Sequence, residues 1–550
     1  MNDFFSITGQ GIVCAIGNDA AQVRSSLRDG RSGIGTMKYL RSKHVDIPVG
    51  EVQLSNDLMK EMLGVDRNAV YSRTSLMGAI AVRQALEQAG IAGTAGKRIA
   101  LISGTTVGNM DITISNDNEC GASTRDIAAL CSLEDAKTCT ISTACSSALN
   151  AIILGCEMLR SDEADIVIAG GSEALSRFHF NGFNSLMILD HEQCRPFDSS
   201  RNGLNLGEGA AFVVLQKNVP DALAYVSGYG NRCDAFHQTA SSENGEGAFL
   251  AMSGALTMAG LSPSDIQYVN AHGTGTQSND ISESRALKRV FCSNMPQVSS
   301  TKPFTGHTTS ASGSIETVIC ILAMREGFTP ANLGWKTPDA DGITPTMGQE
   351  KALLHNVMCN SFGFGGNDSS LILSDRPVML QDVEPVFGTK VAAMQEIGPD
   401  DDMSELKTFI PAMELRRMGP LMRASILTAL LSLKKAGLER PDAIVTATAD
   451  GMLEVSRQFQ KDIVENDEEL LKPTLFMQST HNTIGSAIAI RTLCHGYNIT
   501  YSHGDESEYW AMEDATRMIR SGKASSVLVT VFDEAGPSAF QAKSTVIVRK

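Results

Sequence analysis

A cysteine and two histidines, each beside small residues, are the side chains in this sequence best suited to covalent chemistry. Cys145 lies in Thr140-Ile-Ser-Thr-Ala-Cys-Ser-Ser-Ala-Leu-Asn, where a β-like run changes to helical spacing. The positive end of a helix favours a thiolate, which is the nucleophilic form of cysteine. The small neighbours leave room for a substrate carbonyl, although a cysteine in such a place is more often a packing residue.

Three later segments supply partners for that cysteine. His272 follows Tyr268-Val-Asn-Ala and precedes Gly-Thr-Gly-Thr, and His307 ends Ser300-Thr-Lys-Pro-Phe-Thr-Gly-His. Both histidines lie in turns after β-like runs, where functional residues are common. The segment Cys359-Asn-Ser-Phe-Gly-Phe-Gly-Gly-Asn-Asp is a glycine-rich turn that lets backbone N–H groups approach a ligand. Together the four segments offer a nucleophile, acid–base partners and an oxyanion site.

The elements that must position these residues alternate between strand and helix. A first series runs from a strand at 4–13 to a strand ending at Lys217, and a second series begins near Ala222 and ends near Ser374. Residues 35–72 lack a clean period and are expected to form an insertion that caps the site. Strands alternating with helices twice predict an α/β fold with mainly parallel sheets.

The last third of the chain, which follows a linker after Arg376, repeats the first series. Five segments match in order, which indicates an internal repeat. In this comparison Met477–Ala487 is aligned with the Cys145 segment, so that His481 and Asn482 occupy the nucleophile position. Neither side chain supplies a thiolate, and we expect this copy to be catalytically silent; His481 itself is most simply a packed or capping histidine.

These motifs, in this order, resemble those of the β-ketoacyl synthases, the condensing enzymes of the thiolase superfamily. The resemblance covers about the first two thirds of the chain and includes Ile7-Thr-Gly-Gln-Gly-Ile-Val, Arg195-Pro-Phe-Asp-Ser-Ser-Arg and Leu206-Gly-Glu-Gly-Ala-Ala. A Cys-His-His set is similar to the elongating synthases, whereas initiating synthases and thiolases use a different third residue. The last third resembles the synthase-like half domains of polyene-type polyketide pathways.

The resemblance implies a thiolase-like fold of five layers, α-β-α-β-α, built from two pseudo-symmetric halves, with a third, incomplete half at the C terminus. The corresponding units are residues 1–217, 218–376 and 377–550. The third unit would cap the synthase, form a dimer contact or shape the pocket as a chain-length factor does. The resemblance also implies a homodimer or a heterodimer with another synthase-like subunit.

Within that family pattern each candidate residue has an implied role. Cys145 would be acylated, and His272 and His307 would hydrogen-bond the malonyl thioester oxygen and stabilise the enolate left by decarboxylation. The backbone N–H groups of Cys145 and Phe364 would hold the oxyanion, and the Phe364 ring would act as a gate. The remaining family positions are Lys302 and Glu316, which would support the histidine loop or form an ordinary ion pair, and Thr274, Thr276, Thr301 and Thr305, which would bind pantetheine.

Composition restricts the partners. The formal net charge of −16 argues against nucleic acid, and twelve cysteines without a CxxC pair predict reduced thiols and no metal site. No run is long enough for a membrane span and the start lacks a basic signal region, which predicts a cytoplasmic protein. The implied partner is acyl carrier protein, whose phosphopantetheine would carry the substrates with no other cofactor. Because such carriers are acidic, Lys60, Arg67 and Arg73 could form a docking patch, or could be ordinary surface charges.

Three functions compete at this stage. The favoured hypothesis is decarboxylative condensation of a Cys145-bound acyl chain with malonyl-carrier protein, in a polyene- or polyketide-like pathway or in fatty-acid elongation. The alternative is a non-catalytic partner subunit resembling a chain-length factor, against which the retention of Cys145, His272 and His307 argues. A cysteine hydrolase is the third possibility, and it would release free acid instead of a chain two carbons longer.

Overall fold

The computed structural model describes residues 3–550 except 92, 94–95, 111–118, 380–385 and 537. Three units follow one another along the chain. The strands of the first unit are β1 (Phe5–Cys14), β2 (Ile34–Gly35), β3 (Val49–Gly50), β4 (Ile99–Gly104), β5 (Lys137–Ile141), β6 (Ile166–Glu173) and β7 (Gly209–Lys217). Its helices are α1 (Ala20–Arg28), α2 (Asn56–Leu63), α3 (Arg73–Gln88), α4 (Gly121–Leu130), α5 (Ser147–Arg160) and α6 (Arg177–Ser185).

The second and third units have the same alternation. The second contains β8 (Ala224–Cys233), α7 (Glu246–Ala259), β9 (Tyr268–Asn270), α8 (Gln277–Phe291), β10 (Gln297–Ser299), α9 (Lys302–Thr305), α10 (Ser312–Glu326), β11 (Phe328–Thr329), β12 (Gln349–Glu350), β13 (Asn356–Gly363) and β14 (Asn367–Ser374). The third contains β15 (Thr389–Ile397), α11 (Ala412–Leu415), α12 (Pro420–Ala436), β16 (Ala443–Ala447), α13 (Leu453–Glu465), α14 (Pro473–Ser479), α15 (Thr483–Thr492), β17 (Tyr497–Tyr501), α16 (Ser507–Arg520), β18 (Ser526–Gly536) and β19 (Ala539–Arg549).

The five main strands of every unit are arranged in one order across the sheet. In each unit the third strand lies at one edge, followed by the second, fourth, fifth and first strands, and the fifth is antiparallel to its neighbours. The three segments join into one sheet of fifteen strands. The predicted α/β fold of two pseudo-symmetric halves with a third, incomplete copy is therefore confirmed. The sheet is mixed and not mainly parallel as expected, because the first and fifth strands of each unit pair antiparallel.

Helices α5 and α10 lie between the sheets of the first two units and pack against each other. Nearly all of their residues are buried, because apolar side chains face both sheets. They have only 14 and 15 residues, which is shorter than a bilayer crossing requires. Across the part of the chain that the structure describes, none of the helices is both apolar enough and long enough to span a membrane.

The third unit is attached at the free edge of the first unit's sheet. Strand β17 runs antiparallel to β5, with Tyr501 opposite Ile141. Beyond this bridge the backbone N–H of Ser142 donates to the carbonyl of Thr500 at 3.0 Å, and that of Ser502 donates to Thr140 at 3.1 Å. Because an edge strand can accept only one neighbour on its open side, a second copy of the chain cannot pair with β5.

The topology corrects the predicted alignment of the silent nucleophile position. Helix α15, which follows His481 and Asn482, precedes β17 and therefore corresponds to α4 and not to α5. The counterpart of Cys145 follows β17 and is Asp505. The prediction that His481 and Asn482 occupy this position was wrong.

Local geometry supports this correspondence. The backbone N–H of Thr143 donates to Ser147 Oγ at 2.9 Å, and that of His503 donates to Ser507 Oγ at 2.7 Å. The residue before each nucleophile position has a left-handed backbone, with φ of 52° at Ala144 and 58° at Gly504. Asp505 is exposed and has no sulfur. The third unit therefore has no thiol at the position equivalent to Cys145, although that position is residue 505 and not 481 or 482.

A buried ion-pair cluster fastens α16 of the third unit to the first unit. Arg517 donates to both carboxylate oxygens of Glu163 at 2.8 and 2.9 Å and to Asp514 at 2.8 Å. Its side chain is only 8% exposed. Removing the guanidinium would leave the Asp514 carboxylate buried without its cation.

We expect Arg517→Met to lower the free energy of unfolding by about 3 kcal/mol, since breaking a buried pair leaves an uncompensated charge. The neighbouring Arg520, which is exposed on the same helix, provides the matched control Arg520→Met, with an expected change within about 0.5 kcal/mol. Urea denaturation measures both values. Equal effects of the two substitutions would contradict the structural role of the cluster.

Candidate active site

Cys145 lies in a sharp turn between β5 and α5. Ser147 holds this turn, because its hydroxyl accepts from the N–H of Thr143 and donates to the carbonyl of Ala144 at 2.7 Å. Ala144 has a left-handed φ of 52°, which is unfavourable for a residue with a Cβ and is common where a functional side chain must be presented. The local sequence of small residues allows the turn and places Cys145 before the first helical turn.

The second unit brings both predicted histidines to this sulfur. His307 Nε2 lies 3.1 Å from Cys145 Sγ, and its Nδ1 lies 3.0 Å from Ser312 Oγ at the start of α10. The ring centroid of His272 is 5.2 Å from that of His307. The sulfur and one nitrogen of each ring lie within 4.8 Å of one another, a donor set that a thiophilic metal ion could also occupy. The three residues form a compact group at the junction of the first two units.

Burial keeps this group uncharged. It raises the pKa of the Cys145 thiol to about 12, although Lys302 and the backbone N–H of Phe364 act in the opposite direction. It also lowers the pKa of His272 and of His307 well below the ordinary value, and Lys302 adds to both shifts. The expected increase in thiol acidity from the helix terminus is therefore outweighed by desolvation. A neutral thiol faces a neutral imidazole that can accept its proton during an attack.

Three ionisable side chains lie around the histidines below the surface. Lys302 Nζ lies 2.6 Å from Glu316 Oε1 and 3.4 Å from His272 Nδ1, as predicted for a pair beside the histidine loop. Burial raises the pKa of Glu316 while Lys302 opposes this shift. Glu283 on α8 accepts from the backbone N–H groups of His272 and Gly273 at 2.9 and 2.8 Å. Glu283 thereby fixes the backbone of the His272 loop, a role that no local sequence signal revealed.

A cavity of about 440 Å³ connects the site to the surface. Its wall contains Cys145, both histidines and Phe364, whose ring stacks on Phe183 at a centroid distance of 5.5 Å. Thr274 and Thr276 line the same cavity, with their hydroxyl oxygens 2.9 Å apart. A long, narrow substrate arm could therefore reach the sulfur past these two hydroxyl groups.

Other predicted residues do not reach the cavity. Thr301 and Thr305 are buried outside its wall, and their hydroxyls are used within the protein: Thr301 accepts from Asn270, and Thr305 donates to the carbonyl of Gly306 at 2.8 Å. The structure therefore does not support these two as pantetheine contacts. All four residues of α9, which ends at Thr305, are buried.

One of the three residues of the predicted docking patch does not lie at the surface. Arg73 is buried and donates to Glu208 at 2.7 Å, so it is a structural ion pair and not a surface charge. Arg67 is exposed and pairs with Asp57 at 2.9 Å, while Lys60 donates to the carbonyl of Arg67. The inclusion of Arg73 in a carrier-docking surface was therefore wrong, because its helical position faces the core.

The third unit contributes to the same region, which the sequence reasoning missed. Phe476 of α14 packs against Phe183 at 5.4 Å and against Phe178 at 6.0 Å. A Cβ on Gly182 would lie 2.2 Å from the Phe476 ring, so this glycine is needed for the close approach. Asn482 donates from its side-chain nitrogen to the carbonyl of Phe364 at 2.8 Å. An apolar run in a repeat indicates burial but does not say against which unit the residues pack.

Comparisons with known proteins agree with this geometry. Family models described as the beta-ketoacyl synthase N-terminal and C-terminal domains match residues 5–220 and 223–336, and another model of the N-terminal domain matches residues 391–546. Nodulation protein E of Rhizobium meliloti (strain 1021) is 32% identical over 399 residues, which cover 66% of this chain and 97% of the relative. The 3-oxoacyl-[acyl-carrier-protein] synthase 2 of Coxiella burnetii is 31% identical over 407 residues, covering 67% and 97%.

Solved structures show the same architecture. The ishigamide ketosynthase/chain length factor matches with a TM-score of 0.62 and 28% identity, over 68% of this chain and 100% of the other. The PfaC keto synthase–chain length factor matches with a TM-score of 0.80 and 17% identity, over 100% of this chain and 78% of the other. The second likeness, which concerns the fold alone, extends over the third unit as well.

The pKa of Glu283 predicts a pH dependence of stability. Burial raises it from 4.5 to about 7, so the folded state holds this proton more tightly than the unfolded state. The resulting stabilisation is complete below pH 4.5 and is lost as the pH rises to about 7, with a total of up to about 3 kcal/mol. We expect Glu283→Gln to reduce the fall in unfolding free energy over this range, measured by urea titrations at several pH values. The control Glu134→Gln alters an exposed carboxyl and should keep the wild-type slope; a wild-type slope in Glu283→Gln would contradict the prediction.

Proposed function

This chain belongs to the β-ketoacyl synthase family and is a condensing enzyme of the acyltransferase type, and we propose that it joins a Cys145-bound acyl chain to malonyl-carrier protein. The product would be a 3-ketoacyl-carrier protein. The single observation that carries the proposal is the 3.1 Å approach of His307 Nε2 to Cys145 Sγ at the end of a cavity. A chain-extending reaction needs a nucleophile and oxyanion donors in one dry pocket, and this arrangement offers both.

In the first step the acyl group moves from the carrier to Cys145. The thiol proton passes to His307 as the sulfur attacks the thioester carbonyl, since the neutral imidazole is the nearest base. The N–H groups of Cys145 and Phe364, which both act on the sulfur, lie where they can hold the oxyanion. The carrier thiolate then leaves and takes up the proton.

In the second step malonyl-carrier protein replaces the first carrier. The bond to the carboxylate breaks, CO2 departs, and its electron pair becomes an enolate whose oxygen is held by His272 and His307. The enolate carbon attacks the acyl-Cys145 carbonyl and the carbon–sulfur bond breaks. The released Cys145 thiolate then takes up a proton from water, because its original proton left with the first carrier. Burial, together with Lys302, disfavours the cationic form of both rings. A neutral imidazole still carries one ring N–H, and this group would donate to the enolate oxygen.

The substrates would arrive on phosphopantetheine of an acyl carrier protein. Thr274 and Thr276 line the same cavity as Cys145, and their hydroxyls would hydrogen-bond such an arm. Solved relatives with 23% and 30% identity are described as a ketosynthase with an acyl-carrier protein and a ketosynthase with its chain length factor. We infer that the third unit acts as a built-in partner of this second kind, because it occupies the edge of β5 and no second copy is required there.

The pathway we favour is a polyene- or polyketide-like one. Its support is the third unit and the likeness to the ishigamide ketosynthase/chain length factor at 28% identity. Ordinary fatty-acid elongation is the competing assignment, consistent with the relative named 3-oxoacyl-[acyl-carrier-protein] synthase 2. Comparing turnover on saturated and polyunsaturated acyl carriers separates the two.

The test of catalysis is incubation with acyl- and malonyl-carrier proteins, followed by intact-mass analysis. We expect an acyl adduct on Cys145, release of CO2 and a carrier product extended by one two-carbon unit. Cys145→Ala should form no adduct and no extended product, and His307→Ala should lower condensation by about 100- to 1,000-fold. Absence of both CO2 and adduct in the wild type would favour the non-catalytic partner subunit, and free acid would favour a hydrolase.

The third unit should limit the length of the acyl chain. Because Phe476 supports the ring of Phe183 from behind, we expect Phe476→Ala to let that ring tilt and to yield products at least one two-carbon unit longer. Phe409→Ala, a partly exposed position of the same unit, is the control and should keep the wild-type distribution. Intact-mass analysis of carrier-bound products measures both product distributions. An unchanged distribution in Phe476→Ala would contradict a role of the third unit in limiting chain length.

A further inference from the structure

The turn that carries Phe364 is held by a residue of the third unit. Asn482, at the start of α15, donates from Nδ2 to the Phe364 carbonyl at 2.8 Å and to Asn367 Oδ1 at 2.7 Å. These acceptors flank Gly365 and Gly366, whose left-handed φ values are 86° and 73°. A backbone carbonyl can only accept, so the orientation of the Asn482 amide is determined by chemistry. The side chain is 1% exposed.

A chain of buried asparagines continues from this contact. Asn367 Nδ2 donates to the carbonyl of Asn498 on β17 at 3.0 Å, and Asn231 Nδ2 donates to the same carbonyl at 3.1 Å. Asn231 also donates to Asn150 Oδ1 at 2.9 Å, and Asn150 donates to Thr143 Oγ1 at 2.9 Å. The chain therefore joins the third unit to α5 and to the turn before Cys145. Buried networks are rigid where their members are paired. The side-chain nitrogens named above are paired, whereas the side-chain oxygens of Asn482 and Asn498 have no hydrogen-bond partner among the described residues.

The same contacts determine where the Phe364 N–H lies. The turn lies against the Cys145 backbone, since a Cβ on Gly363 would be 3.2 Å from the Cys145 nitrogen and 2.7 Å from the Thr143 carbonyl oxygen. In agreement with this contact, backbone hydrogen bonds from Phe364 and Cys145 lower the pKa of the thiol against the effect of burial. Ser361, on the strand leading to Phe364, donates to the Cys145 carbonyl at 2.8 Å. A Cβ on Gly365 would lie 2.8 Å from Asn482 Nδ2, which shows how closely the turn is packed on the third unit. Without Asn482 the turn would keep the backbone hydrogen bonds that join Gly365 and Gly366 to Gln238 and Asp234, but it would lose the hydrogen bond that orients the Phe364 carbonyl.

We propose that Asn482 is a positioning residue that holds the Phe364 turn, and with it one oxyanion donor, in the shape needed for acyl transfer to Cys145. The third unit then contributes to the chemistry of the first two, in addition to shaping the acyl channel. The expected change in the acylation rate rests on the proposed condensing function. The claim that Asn482 holds the Phe364 turn does not depend on that function.

The kinetic test uses the full chain and measures two partial reactions separately. Asn482→Ala removes both donors, and Asn482→Asp keeps the shape but sets a carboxylate against the Phe364 carbonyl. We expect both to slow acylation of Cys145 by about 10-fold, the effect of one misplaced hydrogen bond. The KM for acyl-carrier protein and the rate of malonyl decarboxylation should keep their wild-type values. An unchanged acylation rate, or an equal loss in both partial reactions, would overturn the proposal.

Gln478→Ala is the matched control. Gln478 is also a buried amide of the third unit, but it donates at 2.9 Å to the carbonyl of Arg417 within that unit. It should leave both partial reactions unchanged, and a loss of acylation as large as that of Asn482→Ala would contradict the specific role of Asn482. Thermal melting of each variant separates this role from a general loss of folding.

Amide hydrogen exchange provides a readout that needs no substrate. In Asn482→Ala we expect faster exchange at residues 363–367 and unchanged exchange within β4. Unchanged exchange at 363–367 would overturn the proposal even if activity falls. If the wild type forms no acyl-Cys145, the condensing function fails, while the exchange experiment still decides whether Asn482 holds the turn.

Discussion

Two backbone hydrogen bonds at the end of β5 determine how the whole chain is assembled. They join Ser142 to Thr500 and Ser502 to Thr140 across an antiparallel contact with β17. Cys145 follows three residues after Ser142, so the strand that receives the third unit at its edge also leads into the turn that carries Cys145. A displacement of the third unit would therefore also shift the turn between β5 and α5. The contact of the third unit with the rest of the chain includes the buried asparagines described above as well as apolar side chains.

The site itself depends on desolvation. Cys145, His272 and His307 are all buried, and burial opposes charge on each of them. A neutral group costs little to bury, whereas a resting thiolate–imidazolium pair would have to be compensated. The charges that are present nearby, on Lys302 and Glu316, are paired at 2.6 Å. A pocket of this kind keeps water from an acyl intermediate and lets backbone N–H groups act strongly on developing charge.

Comparison of α5 with its counterpart α16 shows how a single half can be stable here. Helix α5 is buried on nearly every side because α10 and a second sheet cover it. Helix α16 instead exposes Tyr509, Glu513 and Arg520 while burying Trp510 and Arg517 against the first unit. The polar face of α16 is solvated, and its apolar face is buried against the first unit. Helix α16 therefore does not need a second sheet to cover it, as α5 does.

The sequence by itself determined the local features. Small residues around Cys145, His272 and His307 indicated turns able to carry chemistry, and strand–helix alternation predicted the α/β units and the silent third copy. The residues against which each helix and strand packs were decided by the tertiary structure. Repeated apolar segments look alike, so only the strand order showed that Asp505, and not His481 or Asn482, is the counterpart of Cys145. Likewise the burial of Arg73 against Glu208 and the contact of Asn482 with the Phe364 turn depend on packing partners more than a hundred residues away along the chain. The hydroxyls of Thr301 and Thr305 are used by contacts within their own unit. Hydrophobic periodicity reports that a side chain is buried, but the identity of its neighbours is determined only when the sheets and helices pack together.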